Sequence, residues 1–186
     1  VYAYYYNGTI GNFTNSGSIS ATAIATGGNA TAAGVYAKGF IGNFTNSNTG
    51  SISAIASATG GNATAAGVAG LSYIGNFINK SGSITAIANA TGEANAVGVL
   101  AGYPVPGNTG NIGNFTNNVT IDVKSYSSGD RANAFGVWAY NGTIEDIRNY
   151  GDIQVYASSN ATGVDNEHYG VGVYAKTINK FFNNGT

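Results

Sequence analysis

Carboxylates that converge on one face are what acid–base cleavage of a glycan requires, one to protonate the leaving group and one to activate water or attack the sugar. Asp122, Asp146 and Asp152 are the best such trio in this chain, because they lie near the same turn of adjacent repeats with Lys124 and Arg148 beside them. Asp122 and Asp152 stand at outward positions where a segment starts, so solvated charges pairing with Lys124 or Arg148 account for them equally well. His168 is the only histidine and sits in the insertion Gly163-Val-Asp-Asn-Glu-His-Tyr169, where Asp165 and Glu167 offer further metal ligands. No second His or Cys completes a set. The expectation is a protein that is not an enzyme and uses no metal or cofactor.

Asparagine is the other chemistry-bearing residue. Asn-x-Ser/Thr acceptors for glycans occur at Asn7, Asn12, Asn29, Asn43, Asn62, Asn79, Asn89, Asn114, Asn118, Asn141, Asn160 and Asn184. Several are copies of one site, since Asn29 and Asn62 share an exposed turn and Asn12, Asn43 and Asn114 share an outward position. A different Asn organises the whole chain. Phe13-Thr-Asn15 returns as Phe44-Thr-Asn46, Phe77-Ile-Asn79, Phe115-Thr-Asn117, Ile147-Arg-Asn149 and Phe181-Phe-Asn183, at spacings of 31, 33, 38, 32 and 34 residues. That period belongs to solenoids and arrays.

Each repeat holds three apolar segments separated by turn residues. In the first copy they are Phe13 to Asn15, Ile19 to Ala25 and Ala33 to Ala37, with Ser16-Gly17 and Thr26-Gly27-Gly28-Asn29 between them. The middle segment alternates with period two, placing Ile19, Ala21, Ala23 and Ala25 on one face and Ser20 and Thr22 on the other. Helix would need apolar residues three and four apart, so these are strands. In the third segment the inner columns are read as Val35, Val68, Val99, Val137, Val173 and, two positions earlier, Ala33, Ala66, Val97, Phe135, Val171. The column Tyr36, Ala69, Leu100, Trp138, Tyr174 is read as facing solvent. Fold class follows: all-β, a right-handed parallel β-helix with three strands per coil and about six rungs, forming one domain over residues 1–186. Stacked coils turn Asn15, Asn46, Asn79, Asn117, Asn149 and Asn183 into an amide ladder, and stack Phe13, Phe44, Phe77, Phe115 and Phe181 beside it.

The pattern Phe/Ile-x-Asn-x-Gly-x-Ile, followed by alternating Ser/Thr/Ala and a Gly-Val strand, resembles the β-helical repeats of bacterial autotransporter passengers and filamentous adhesins. The resemblance covers nearly the whole chain, departing at Val119 and at the insertions Asn48-Thr49 and Tyr103 to Gly110. It implies export, cell-surface display, adhesion and self-association.

Composition agrees with a structural role and excludes others. Charged residues make up 8%, the net charge is -1, and before Glu93 only Lys38 and Lys80 are charged, so no basic footprint for nucleic acid exists. No apolar run is long enough to span a membrane. Cys and Met are absent, so no disulfide contributes and the chain is read as processed or as a fragment. It starts inside a third segment and stops before a second one. Open β-helix ends invite pairing, so Val1, Tyr2, Tyr4, Tyr5, Tyr6, Phe181, Phe182, Asn184 and Thr186 are expected to contact the next unit. The partners expected are copies of itself, stacked head to tail, or further coils of a longer chain. The function expected is that of an extracellular filament subunit. The alternatives are an adhesin passenger that binds a cell-surface receptor or a glycan, and a polysaccharide-active enzyme built on the three Asp residues.

Overall fold

Short runs of alternating small apolar and hydroxyl residues, punctuated by Gly and Asn, favour strands over helices. The computed structural model describes residues 1–3, 8–103, 105–161 and 168–186, which form fifteen strands and no helix. After β1 (Tyr2–Ala3), the first full coil comprises β2 (Ile10–Asn15), β3 (Ser18–Ala25) and β4 (Ala30–Ala37). The second comprises β5 (Phe40–Asn46), β6 (Ser51–Ala58) and β7 (Ala63–Gly70), and the third β8 (Tyr73–Asn79), β9 (Ser83–Ala90) and β10 (Ala94–Ala101). β11 (Asn111–Asn117), β12 (Thr120–Ser127) and the first part of β13 (Ala132–Asn149) make the fourth. The rest of β13, β14 (Ile153–Ser159) and the first part of β15 (His168–Asn183) make the fifth.

Equivalent strands stack parallel, and each repeat position lies on its copy: Ile19 on Ile52, Val35 on Val68, Phe44 on Phe77. The second strands form one five-stranded sheet in the order β14-β12-β9-β6-β3. The chain is therefore a parallel β-solenoid. Its complete coils number five, not six: β1 and the end of β15 are partial coils, and the sixth ladder Asn belongs to the latter. The insertion at Asn48 is absorbed in a turn where Asn48 takes a left-handed φ of 56°. Asn46 then caps the carbonyl of Gly50, where Asn117 and Asn149 cap Val119 and Gly151, two residues on.

The core is lined as the alternation requires, with Ile52, Ala54, Ala56, Ile84, Ala86 and Ala88 completely buried. The third strands correct the sequence reading. Val35, Val68, Val99 and Val137 do face inward, but their inner companions are Ala32, Ala65, Ala96 and Ala134, one residue earlier than expected. Ala33, Ala66, Val97 and Phe135 lie on the outer face with Tyr36, Ala69, Leu100 and Trp138. The cause is the Gly that precedes each Val. Pairing runs Ala33–Ala66 then Val35–Val68, and the Gly between them inserts an extra residue in every strand, which shifts the alternation by one. A Cβ on Gly67 would stand 2.5 Å from Ile84 Cγ2 and 2.7 Å from the Gly98 carbonyl, so only Gly fits. The outer column is also less wet than expected: Ala66, Ala69, Val97 and Leu100 form a second buried cluster.

Candidate functional site

Stacking places the six Asn at the start of the turn between first and second strands, beside the core. Asn46, Asn79 and Asn117 are fully buried. Each donates its Nδ2 to the Oδ1 of the next coil, from Asn15 to Asn46 at 2.9 Å, then 3.0, 2.8, 2.8 and 2.8 Å up to Asn183. A buried amide left unpaired would cost roughly 1–3 kcal/mol, and the ladder removes that cost by repetition. The Phe column stacks beside it, with ring centroids 5.3, 4.8 and 5.1 Å apart from Phe13 to Phe115. The column is interrupted by Ile147, and Phe181 lies over that residue, half exposed, at the end of the solenoid.

A second ladder went unrecognised in the sequence. On the outer face of the first strands Asn43 donates to Asn12, Asn76 to Asn43 and Asn114 to Asn76, each at 2.7 Å. It runs opposite to the buried one. The signal was present, since Asn76 stands at the same offset from its Phe as Asn12, Asn43 and Asn114. Reading three of them as sequons hid the fourth.

The candidate trio is split between the two sheets, Asp122 and Asp152 at the start of neighbouring second strands and Asp146 on a first strand. Asp122 faces out from β12 and is paired with Lys124 at 2.6 Å, a hydrogen bond that raises the lysine pKa above its ordinary 10.5. Asp146 faces out from β13, in a different sheet, and holds Arg148 at 3.0 Å, which raises the guanidinium's already high pKa. Asp152 lies in the turn before β14 and accepts a hydrogen bond from the Thr186 hydroxyl. His168 opens β15 in register with Ala132 and is exposed. Asp165 and Glu167 lie outside the described residues, and among the described residues no three His, Cys, Asp or Glu cluster as a metal site.

No family model, curated protein or solved structure matches the chain.

The glycan acceptors divide by environment. Asn79 belongs to the buried ladder and has no exposed surface, so the folded chain leaves no room for a glycan there. Asn29 and Asn62 are exposed, and their Oδ1 atoms accept from the backbone N–H of Asn62 and Glu93 at 2.9 Å. Asn12, Asn43 and Asn114 are exposed within the outer ladder, and Asn118, Asn141, Asn160 and Asn184 are exposed elsewhere. Asn89 is half-buried, with Nδ2 3.5 Å from Ser57 Oγ, and Asn7 lies outside the described residues.

At the ends, Val1 is tied to the first full coil: its ammonium donates to the Gly34 carbonyl, and its carbonyl accepts from Tyr36. Tyr2 stacks on Tyr36 with centroids 4.7 Å apart. Tyr4, Tyr5 and Tyr6 lie outside the described residues. At the other end Phe182 and Asn184 are exposed, while the Thr186 carbonyl accepts from Ile153. The Tyr103 to Gly110 insertion is anchored by Gly102 just before it, which donates to the Gly70 carbonyl, and by Gly110, which donates to the Tyr140 carbonyl, while Gly107 stands in open space.

Proposed function

We propose that this chain is a length of an exported, non-catalytic β-solenoid with a structural role: a surface or extracellular filament subunit that extends by stacking coils end to end. The observation that carries this reading is the polarity of the buried ladder. Each Asn accepts from the coil before and donates to the coil after, so the last one, Asn183, donates only to its own turn carbonyl at Gly185, and the Oδ1 of the first, Asn15, accepts only from the N–H of Gly17. A following coil would offer an Oδ1 to Asn183, and a preceding coil would donate to Asn15. The ends are complementary to each other and not to themselves, which favours open head-to-tail growth over a closed pair. The incoming coil comes from another copy or from a continuation of the same chain.

Support for a non-catalytic role is that Asp122 and Asp146 each hold a local ion pair in different sheets, while Asp152 accepts from the Thr186 hydroxyl. Support for export and surface display is the low charge of a Ser/Thr/Asn-rich exterior, together with the resemblance of the repeat to autotransporter passengers and filamentous adhesins. Electron microscopy of the native material tests the reading: filaments with Thr186 of one copy beside Val1 of the next are expected. Discrete monomeric particles at high concentration would end the homopolymer reading. A second reading, an adhesin that binds a glycan or cell surface, is favoured by one place on the outer face, where aromatic and hydrogen-bonding side chains meet.

A further inference from the structure

On the outer face of the first strands, the uncharged surface of the early coils gives way to charged side chains from β13 onward. Residues two apart on a strand point to the same side, and stacking extends each into a file. One file runs Asn114, Asp146, Lys180, and the next runs Thr116, Arg148, Phe182. Tyr150 borders the second, its ring 5.4 Å from that of Phe182. Two hollows open here, of about 290 and 360 Å³, and Asp146 and Arg148 line both. Their size sits at the lower end of the range for small-ligand sites, roughly 300–1,000 Å³. Together they suit two successive small rings.

The outer Asn ladder also ends at this place. Asn12, Asn43 and Asn76 each have their Oδ1 taken by the next coil's amide, but the residue stacked on Asn114 is Asp146, which has no hydrogen to give. Among the described residues Asn114 Oδ1 therefore receives no donor, and Lys180 Nζ finds no acceptor. The ion pair joins Arg148 Nε and Nη2 to the Asp146 carboxylate and leaves each group with unused positions. Acceptors without donors stand near donors without acceptors, and the Tyr150 and Phe182 rings lie together along one side. The local charge cancels, because Glu145, bonded to Asn179, and Asp146 balance Arg148 and Lys180.

We propose that this trench binds a neutral glycan, two pyranose rings lying across the Asp146–Arg148 pair. Sugar hydroxyls both donate and accept, matching the unpaired groups, and the C–H face of a pyranose packs on Tyr150 and Phe182. The inference deepens the adhesin reading and is independent of end-to-end growth. A monomer that binds sugar keeps it and ends the filament reading; filaments that bind no sugar do the reverse.

The test is saturation-transfer NMR with isothermal titration, using cellotetraose, chitotetraose and mannotetraose as neutral probes and trigalacturonate as an acidic one. Wild type is expected to bind at least one neutral probe at millimolar concentration or below. Arg148→Ala and Tyr150→Ala are each expected to weaken it about tenfold, while Tyr156→Ala, on the outer face of β14, leaves it unchanged. Should Tyr150→Ala lose its β-sheet circular dichroism, Phe182→Leu keeps apolar volume, removes a ring and decides the same point. No binding of any neutral probe overturns the proposal, as does binding that survives both substitutions. Binding of trigalacturonate alone, abolished by salt, overturns it in favour of an anionic ligand.

Discussion

Replacing Asn79 by Ala removes the central rung of the buried ladder. Asn79 Oδ1 accepts from Asn46 at 3.0 Å, and its Nδ2 donates to Asn117 at 2.8 Å, with all three amides fully buried. Asn46 retains its bond to the Gly50 carbonyl, so its loss is partial. Asn117 Oδ1 is left without its donor in a place water does not reach. Two lost hydrogen bonds at about 1 kcal/mol net each, plus about 1–3 kcal/mol for the stranded carbonyl, predict a destabilisation of about 3–5 kcal/mol. Asn183→Ala loses the bond from Asn149 and its own to the Gly185 carbonyl, but at an exposed end where water replaces both, and about 1 kcal/mol or less is expected there. Urea unfolding followed by circular dichroism reads the difference. Because repeat proteins unfold by segments when a central interface weakens, amide exchange at Lys80 and Asn118, which bond to the carbonyls of Asn46 and Asn79, reports the loss locally. An Asn79→Ala protein within about 1 kcal/mol of wild type, or equal to Asn183→Ala, would refute the claim that burial makes the ladder matter.

Gly67→Ala forces a methyl against Ile84 and the Gly98 carbonyl and is expected to cost about 1–3 kcal/mol in thermal or urea melts. Gly28→Ala, with nothing within 4 Å, is expected to stay within about 0.5 kcal/mol, and equal effects would sink the bulge explanation. Lys124→Gln breaks an exposed pair worth at most about 0.5 kcal/mol. Since the lysine pKa is raised in the folded state, that contribution is fully present below 10.5 and is lost only as pH climbs through the higher folded value. Melting temperatures of wild type and variant should therefore keep a constant small difference across the neutral range, and a difference that varies there would contradict the assignment. In a host that attaches N-glycans, peptide mass spectrometry should find sugar at Asn62 in folded, secreted protein and none at Asn79. Occupancy at Asn79 would contradict its burial.

Period and alternation were legible in the sequence because they are local properties of a repeating chain. The spacing of Asn15, Asn46 and their copies forces equal residues into columns whatever the details, and Ile19 to Ala25 can satisfy period two only as a strand with one face inward. The buried ladder and the Phe stack follow from those facts alone. Three things waited for the tertiary structure. The extra Gly in each third strand moved Ala33 and Ala66 from the core to the outer face, because a one-residue shift reverses every side chain beyond it and composition carries no mark of where the shift falls. The outer ladder, and its end at Asp146, depended on which neighbour each Asn meets across a coil. The dispersal of Asp122 and Asp146 was decided by the turn at Asn117, which sends first and second strands into different sheets and leaves carboxylates that are close in repeat position on separate faces.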